Sequence, residues 1–188
     1  MTYTITQAGL KAAKPCAGRH QEILGLIKIW PASADDAFAA GVTVDDVLWI
    51  AYRMAENDAE LKRRLRHAAA DIAERVLPIF QRHAPDDMRV RDCIRAIRLY
   101  AEGRISRAEL VVSRAAAGAA AWAAWAAWAA WAAWAAQGAG AASLDSERKA
   151  QQEILCRWLG ATPPAVNLEF ETETPCTLAE IDHWEGKA

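Results

Sequence analysis

Four histidines, four cysteines and the carboxylate pairs Asp35/Asp36 and Asp45/Asp46 are among the groups of this sequence whose types and spacing could do chemistry. Cys16 and His20 lie four residues apart, so on a helix they would share one face, as a two-ligand metal pair does. Zinc needs three or four protein ligands, and no second cluster accompanies this pair, so no metal and no cofactor is expected. The pairs Asp35/Asp36 and Asp45/Asp46 have the look of acid catalysis or cation binding. Each falls in the first turn of a predicted helix, where carboxylates complement the helix dipole, and that role accounts for them. His67 and His83 fall on or at the end of amphipathic helices with no Ser or Cys nucleophile nearby in sequence, the pattern of surface histidines. GxSxG, P-loop, GxGxxG, HExxH and DxDxDG patterns are all absent. Catalysis is not the expected activity.

The most regular feature is Ala115 to Ala136, reading AAAGAAAWAAWAAWAAWAAWAA. Alanine is the best helix former, and no Pro or β-branched residue interrupts the run, which predicts one long helix. Trp122, Trp125, Trp128, Trp131 and Trp134 step every three residues, so on a helix they sweep about 240° of its circumference. An apolar spiral of this kind predicts a central rod wrapped by other helices, not a surface helix with a single apolar face. Burial of five indoles would contribute at most about 20–30 kcal/mol. Two other uses would suit such a column. A membrane span fits its length, but Ala and Gly give little insertion energy and membrane tryptophans gather at the interfaces. A ligand-lining or partner-lining column would need the other helices to leave indoles uncovered. Nucleic-acid stacking is not expected, because Ala surrounds each Trp where Lys or Arg would be needed.

The elements that must position these groups follow from periodicity and punctuation. A short helix over Thr6 to Lys14 ends at Pro15, and a second runs from about Cys16 to Ile29 before Pro31. Ser33 with Asp36, Thr43 with Asp46, and Ser106 with Glu109 have capping-box spacing. The second of these opens a helix with Val44, Val47, Leu48, Ala51 and Ala55 on one face. A strongly periodic helix is predicted from about Ala59 to His83, with Leu61, Leu65, Ala69, Ile72, Val76, Leu77 and Phe80 inward. Lys62, Arg63, Arg64, Arg66 and Arg75 take its opposite side. The next helix runs from about Met88 to Glu102 and ends at Gly103, with Val90, Cys93, Ile94, Ile97 and Ala101 opposed to Arg91, Arg95 and Arg98. Gln137 to Gly140 marks a break, and Ser143 or Asp145 would cap a last long helix with Ile154, Leu155 and Trp158 inward. The predicted fold is therefore all-α: a helical bundle over residues 1–160 around the Ala/Trp helix. An irregular tail, 161–188, would pack on it.

The chain of 188 residues carries a net charge of −2, which gives no global argument for nucleic acid or membrane surfaces. Charge is uneven, however. Residues 60–114 hold 13 Lys/Arg against 8 Asp/Glu, while the stretch from 165 onward holds six acids and one Lys. The tail could therefore lie against the basic helices. The opening MTYTITQAGLKAAKPC lacks a basic segment followed by an apolar one, so no export signal is expected and the chain is placed in the cytoplasm. There Cys16, Cys93, Cys156 and Cys176, none in a CxxC, would be reduced thiols.

The middle of the chain carries a family pattern. It contains A-x-x-x-A-E-R-V-L-P-x-F ending at Phe80, then P-D-D-x-R ending at Arg89, then A-I-R and A-x-G ending at Gly103, then an Ala-rich helix. The segments KPCAGRHQEIL and DVLWIAYRM precede it. This pattern, over roughly residues 10–160, resembles the immunity proteins of bacterial polymorphic toxin systems and related phage-encoded, Ala-rich helical proteins. The resemblance implies an all-helical protein that acts by binding a protein partner, with no catalytic residues to carry over. Asp86 and Asp87 match its P-D-D-x-R turn, although a helix N-terminus explains them as well. The expected function is neutralisation of a toxin or, if phage-borne, of a host defence component. Arg63, Arg66, Arg91, Arg95, Arg98, Asp86 and Asp87 are the candidate contact residues. The alternative is a sponge for a signalling nucleotide, held by the indoles and a few arginines. A homo-oligomer is a third use of the same surfaces.

Overall fold

The computed structural model describes residues 2–119 and 140–164, with side chains throughout except those of Val76, Ile79, His83 and 140–145. Its order is β1 (Thr4–Ile5), α1 (Gln7–Ala12), α2 (Ala17–Leu26), β2 (Ala32–Ser33), α3 (Ala34–Ala39), α4 (Val44–Met54), a 3₁₀ turn (Ala55–Asn57), α5 (Ala59–His83) and α6 (Arg89–Ala101). Helix α7 follows over residues 107–119, and α8 spans Gly140–Leu159. The fold is all-α, as expected; among the described residues its one sheet is the two-residue antiparallel ladder pairing Thr4 with Ser33 and Ile5 with Ala32.

Helix starts follow side-chain chemistry. Thr6 Oγ1 accepts from the Gly9 amide at 2.9 Å, and Asp58 Oδ1 accepts from the Leu61 amide at 2.9 Å. At α3 the capping box is complete: Ser33 Oγ accepts from the Asp36 amide at 3.2 Å while Asp36 accepts from the Ser33 amide at 2.9 Å. Ser106 and Glu109 repeat it at α7, with 3.3 and 2.7 Å. Each device satisfies backbone donors that the first turn leaves without partners. At the other ends, Gly41 (φ 90°) follows α3 and Gly103 (φ 67°) follows α6, in the left-handed region where Gly pays no steric penalty.

Two predicted boundaries move. Helix α2 stops at Leu26, not near Ile29, because the chain turns extended at Ile27 to reach the β1–β2 ladder. Ile27 stays in the core while Ile29 is left 81% exposed. Neither Ser143 nor Asp145 caps α8, since the backbone is already helical at Gly140 and runs through both.

The described core is built on α5. Three apolar clusters each contain residues of this helix. Leu61 and Leu65 join Leu10, Ile23, Val47, Ile50 and Leu159; Ala68 joins Ile154, Leu155 and Trp158; Ala70 and Leu77 join Ile94. One side of α5 thus packs on the N-terminal helices, another on α8 and a third on α6. Burying a leucine such as Leu61 or Leu65 contributes about 1.5–3 kcal/mol, so this helix carries a large share of the apolar stabilisation. The expected Ala/Trp rod, with Trp122, Trp125, Trp128, Trp131 and Trp134, lies outside the described residues. So do the acidic tail from 165 onward and Cys176.

The C-terminal end of α8 is closed by distant parts of the chain. The Tyr3 amide donates to the Leu159 carbonyl at 2.9 Å, and the Arg64 guanidinium donates to the carbonyls of Gly160 (2.7 Å) and Trp158 (3.3 Å). These carbonyls would otherwise be without helical partners, and a cation there also complements the negative end of the dipole. Gly160 suits the exit: a Cβ there would stand 3.0 Å from the Cys156 carbonyl oxygen.

Candidate functional site

The cations of α5 and α6 divide into those consumed inside the bundle and those presented outward. Arg63 lies between Glu60 (2.7 Å) and Glu102 (2.8 Å), the latter just past α6. Arg98 reaches back from α6 to Asp71 (2.8 Å) and Glu74 (2.7 Å) on α5, which hold its guanidinium protonated beyond its ordinary range, Glu74 contributing most. Arg75 ties α5 to α8 through Glu147 at 3.0 Å. Arg63 and Arg98 thus fasten helices together, and their charge is largely spent within the chain.

Arg64 and His67 correct the surface placement that periodicity alone predicts. Arg64 is buried, bonded to Glu60 at 2.8 Å and to the end of α8, with its guanidinium carbon 5.2 Å from the Tyr3 ring centre. His67 is 1% exposed. Its ring stacks on Trp158, centroids 4.9 Å apart and planes 13° off parallel, and its Nε2 lies 2.6 Å from Glu102. Trp158 in turn donates its indole N–H to Asp71 at 2.7 Å. A chain of contacts therefore runs Arg63, Glu102, His67, Trp158, Asp71, Arg98 and Glu74 across the junction of α5, α6 and α8. Burial opposes ionisation of Glu102, but the hydrogen bonds from Arg63 and His67 outweigh it and hold its carboxyl below the usual range. This junction is architecture: its donors and acceptors face one another, and the buried Trp158 offers no indole face to a ligand.

The remaining candidates lie toward solvent. Arg66 is half-buried, its guanidinium carbon 4.4 Å from the Tyr100 ring centre on α6. Arg91 stands exposed and Arg95 is half-buried. Asp86 is exposed, whereas Asp87 accepts from the Arg89 amide at 3.1 Å and from its guanidinium at 2.7 Å. Arg89 holds the Asp87 carboxyl below its usual range, so Asp87 works as an N-terminal anchor of α6. The structure therefore brings Arg63, Arg66 and Arg98 to the α5–α6 seam, with Asp86 and Asp87 at the far end of α6. Sequence reasoning missed Tyr100 as the neighbour of Arg66 and Trp158 as the neighbour of His67. The available signal was an aromatic residue among the arginines of α6, too weak to name a partner 34 positions away.

Other suspected chemistry does not assemble. The described residues contain no group of three or more His, Cys, Asp and Glu set to hold a metal ion, and Cys16 is simply exposed. Asp35 and Asp36 occupy the first turn of α3, and Asp45 and Asp46 that of α4; Asp46 also accepts from Arg19 Nε at 2.9 Å. Cys156 is pushed up to about 12 by burial, with the Asp35 carboxylate adding to the effect, which makes it a poor nucleophile. Among the described residues no helix is long and apolar enough to cross a membrane.

A family model described as "Imm-5 like putative immunity protein" matches residues 56–152, just over half of the chain. The chain belongs to that family. The match begins at the turn before α5 and covers α5, α6, α7 and most of α8, so the Imm-5-like segment contains both helices of the arginine seam. Membership points to an immunity-type role and to a protein as the partner. No curated protein and no solved structure matches this Imm-5-like chain significantly.

Proposed function

We propose that the chain is a non-enzymatic immunity protein that neutralises a toxin by binding it, using the outward surface of α5 and α6. The observation that carries this reading is the family match, which falls on the helices that display the chain's basic surface. Arg63 and Arg98 supply rigidity through their internal ion pairs, while Arg66 and Arg91 offer charge to a partner. A charged rim of this kind speeds encounter with an acidic surface and weakens with salt.

The test is purification of the full chain from its native cells at low ionic strength, with the retained protein identified by mass. Expression of that protein alone should arrest growth, and co-expression of the chain should restore it. Growth arrest that the chain does not relieve would overturn the reading. The Arg91→Glu variant, folded as judged by circular dichroism, should slow association; unchanged association would remove Arg91 from the surface.

A further inference from the structure

Among the described residues, four arginines of α5 make side-chain contacts through their guanidinium groups, and three of them end on oxygen. Arg63 ends on Glu60 and Glu102, Arg64 on Glu60 and the α8 carbonyls, and Arg75 on Glu147. Arg66 differs. Its guanidinium lies over Tyr100, 4.4 Å from the ring centre, and no carboxylate pairs with it among the described residues. A guanidinium held over a ring still has N–H donors beyond those the ring meets, in a fork matched to a carboxylate. The ring contact also restrains the side chain, so less conformational freedom remains to be lost on binding.

The surroundings have the composition of a binding anchor. Tyr52, on α4, is 48% exposed and within the electrostatic reach of Arg66, whose charge offsets part of the burial effect that raises its phenol. Lys62, one turn earlier on α5, is exposed, and among the described residues its ammonium meets only the Glu56 carbonyl at 2.7 Å, a neutral acceptor. The Glu56 carboxylate is itself held by Arg53 at 2.8 Å. The patch therefore combines two phenols with two positive charges that the described chain leaves without a carboxylate. Tyr and Arg dominate the residues that carry binding energy in protein interfaces, whereas structural arginines of this chain end on acids.

We propose that Arg66, held over Tyr100 with Tyr52 and Lys62 in its surroundings, is the anchor that grips an Asp or Glu side chain of the partner protein. The proposal rests on the neutralisation reading and names the partner's chemistry at the contact: a carboxylate received by the guanidinium fork, beside apolar atoms that cover the phenols. The position also explains why charge, not area, would dominate. Lys62 and Arg66 stand one turn apart on one helix, so an acidic patch meets both.

The probe is the protein retained by the full chain from its native cells, purified and titrated against variants by calorimetry. Arg66→Ala should raise Kd by at least about 30-fold, the range of an interface anchor. Arg66→Lys should recover only part of that loss, since an ammonium keeps the charge without the fork. Lys62→Glu should weaken binding and reduce its salt dependence. Lys149→Glu, an equal change of charge on α8 away from the patch, should stay within about twofold of the unmodified chain. If Arg66→Ala lowers thermal stability, Tyr52→Ser on the exposed edge replaces it, with a loss of about tenfold or more expected. Binding by Arg66→Ala or Tyr52→Ser within threefold of the unmodified chain would overturn the anchor and leave neutralisation standing. Failure of the unmodified chain to retain any protein would overturn both.

Discussion

Replacing Arg64 by Met tests the buried end of α8. Met preserves much of the aliphatic stem and removes the guanidinium, so packing changes little. The variant loses the donors to the Gly160 and Trp158 carbonyls and the pairing with Glu60. Hydrogen bonds from charged groups are worth about 1.5–3 kcal/mol each, and the 2.7 Å bond to Gly160 is the strong one. Relief from desolvating a buried cation offsets part of the loss, which leaves a net destabilisation of about 2–4 kcal/mol. For a chain of this size that corresponds to a fall in Tm of roughly 5–15 °C. Urea unfolding followed by far-ultraviolet circular dichroism gives the free energy directly, and Arg64→Lys should fall between the two. Stability of Arg64→Met within about 0.5 kcal/mol of the unmodified chain would refute the argument, because the α8 carbonyls would then need no cation.

Three further outcomes follow from the same geometry. Glu60 is held down to about 2 from 4.5, mainly by Arg63 and then by Arg64, so its contribution is complete above about 4.5 and is lost as pH falls toward 2. Urea titrations across that window should show Glu60→Gln with a shallower acid loss than the unmodified chain. Among the described cysteines, a disulfide reagent at pH 8 should modify exposed Cys16 first and Cys156, pushed up to about 12, last; the reverse order would contradict the burial of Cys156. Ser33→Ala should cost about 1 kcal/mol in chemical unfolding, because the α3 capping box loses its hydroxyl; no measurable change would show that the 3.2 Å bond is not contributing.

Much of the helix pattern was legible because it rests on local chemistry. The apolar spacing from Leu61 to Phe80 marks α5, which runs from Ala59 to His83, and the hydroxyl–carboxylate pairs mark α3, α4 and α7. The flanks of α5 were not legible. A helical wheel separates apolar from charged residues, yet Arg64 and His67 sit at the edge of the charged arc, where any helix packed alongside will cover them. That cover is the end of α8, more than 90 positions later, and nothing local in the sequence announces it. For the same reason Arg63 and Arg98 read as surface cations although their acids, Glu102, Asp71 and Glu74, were all visible in sequence; only tertiary packing decides which charges meet. The two-residue ladder of β1 and β2 is too short for an alternation signal, and it is what ends α2 early. The candidate face was thus legible as a helix pair and a charge bias, but the division between Arg66 and its paired neighbours came from the structure.

Native mass spectrometry of this Imm-5-like chain, purified from its own cells, shows whether it acts by holding a protein partner. The expected result is a complex of fixed stoichiometry with one protein, whose toxicity the chain abolishes. A chain recovered bare, or carrying only an adduct of small-molecule mass, would contradict it.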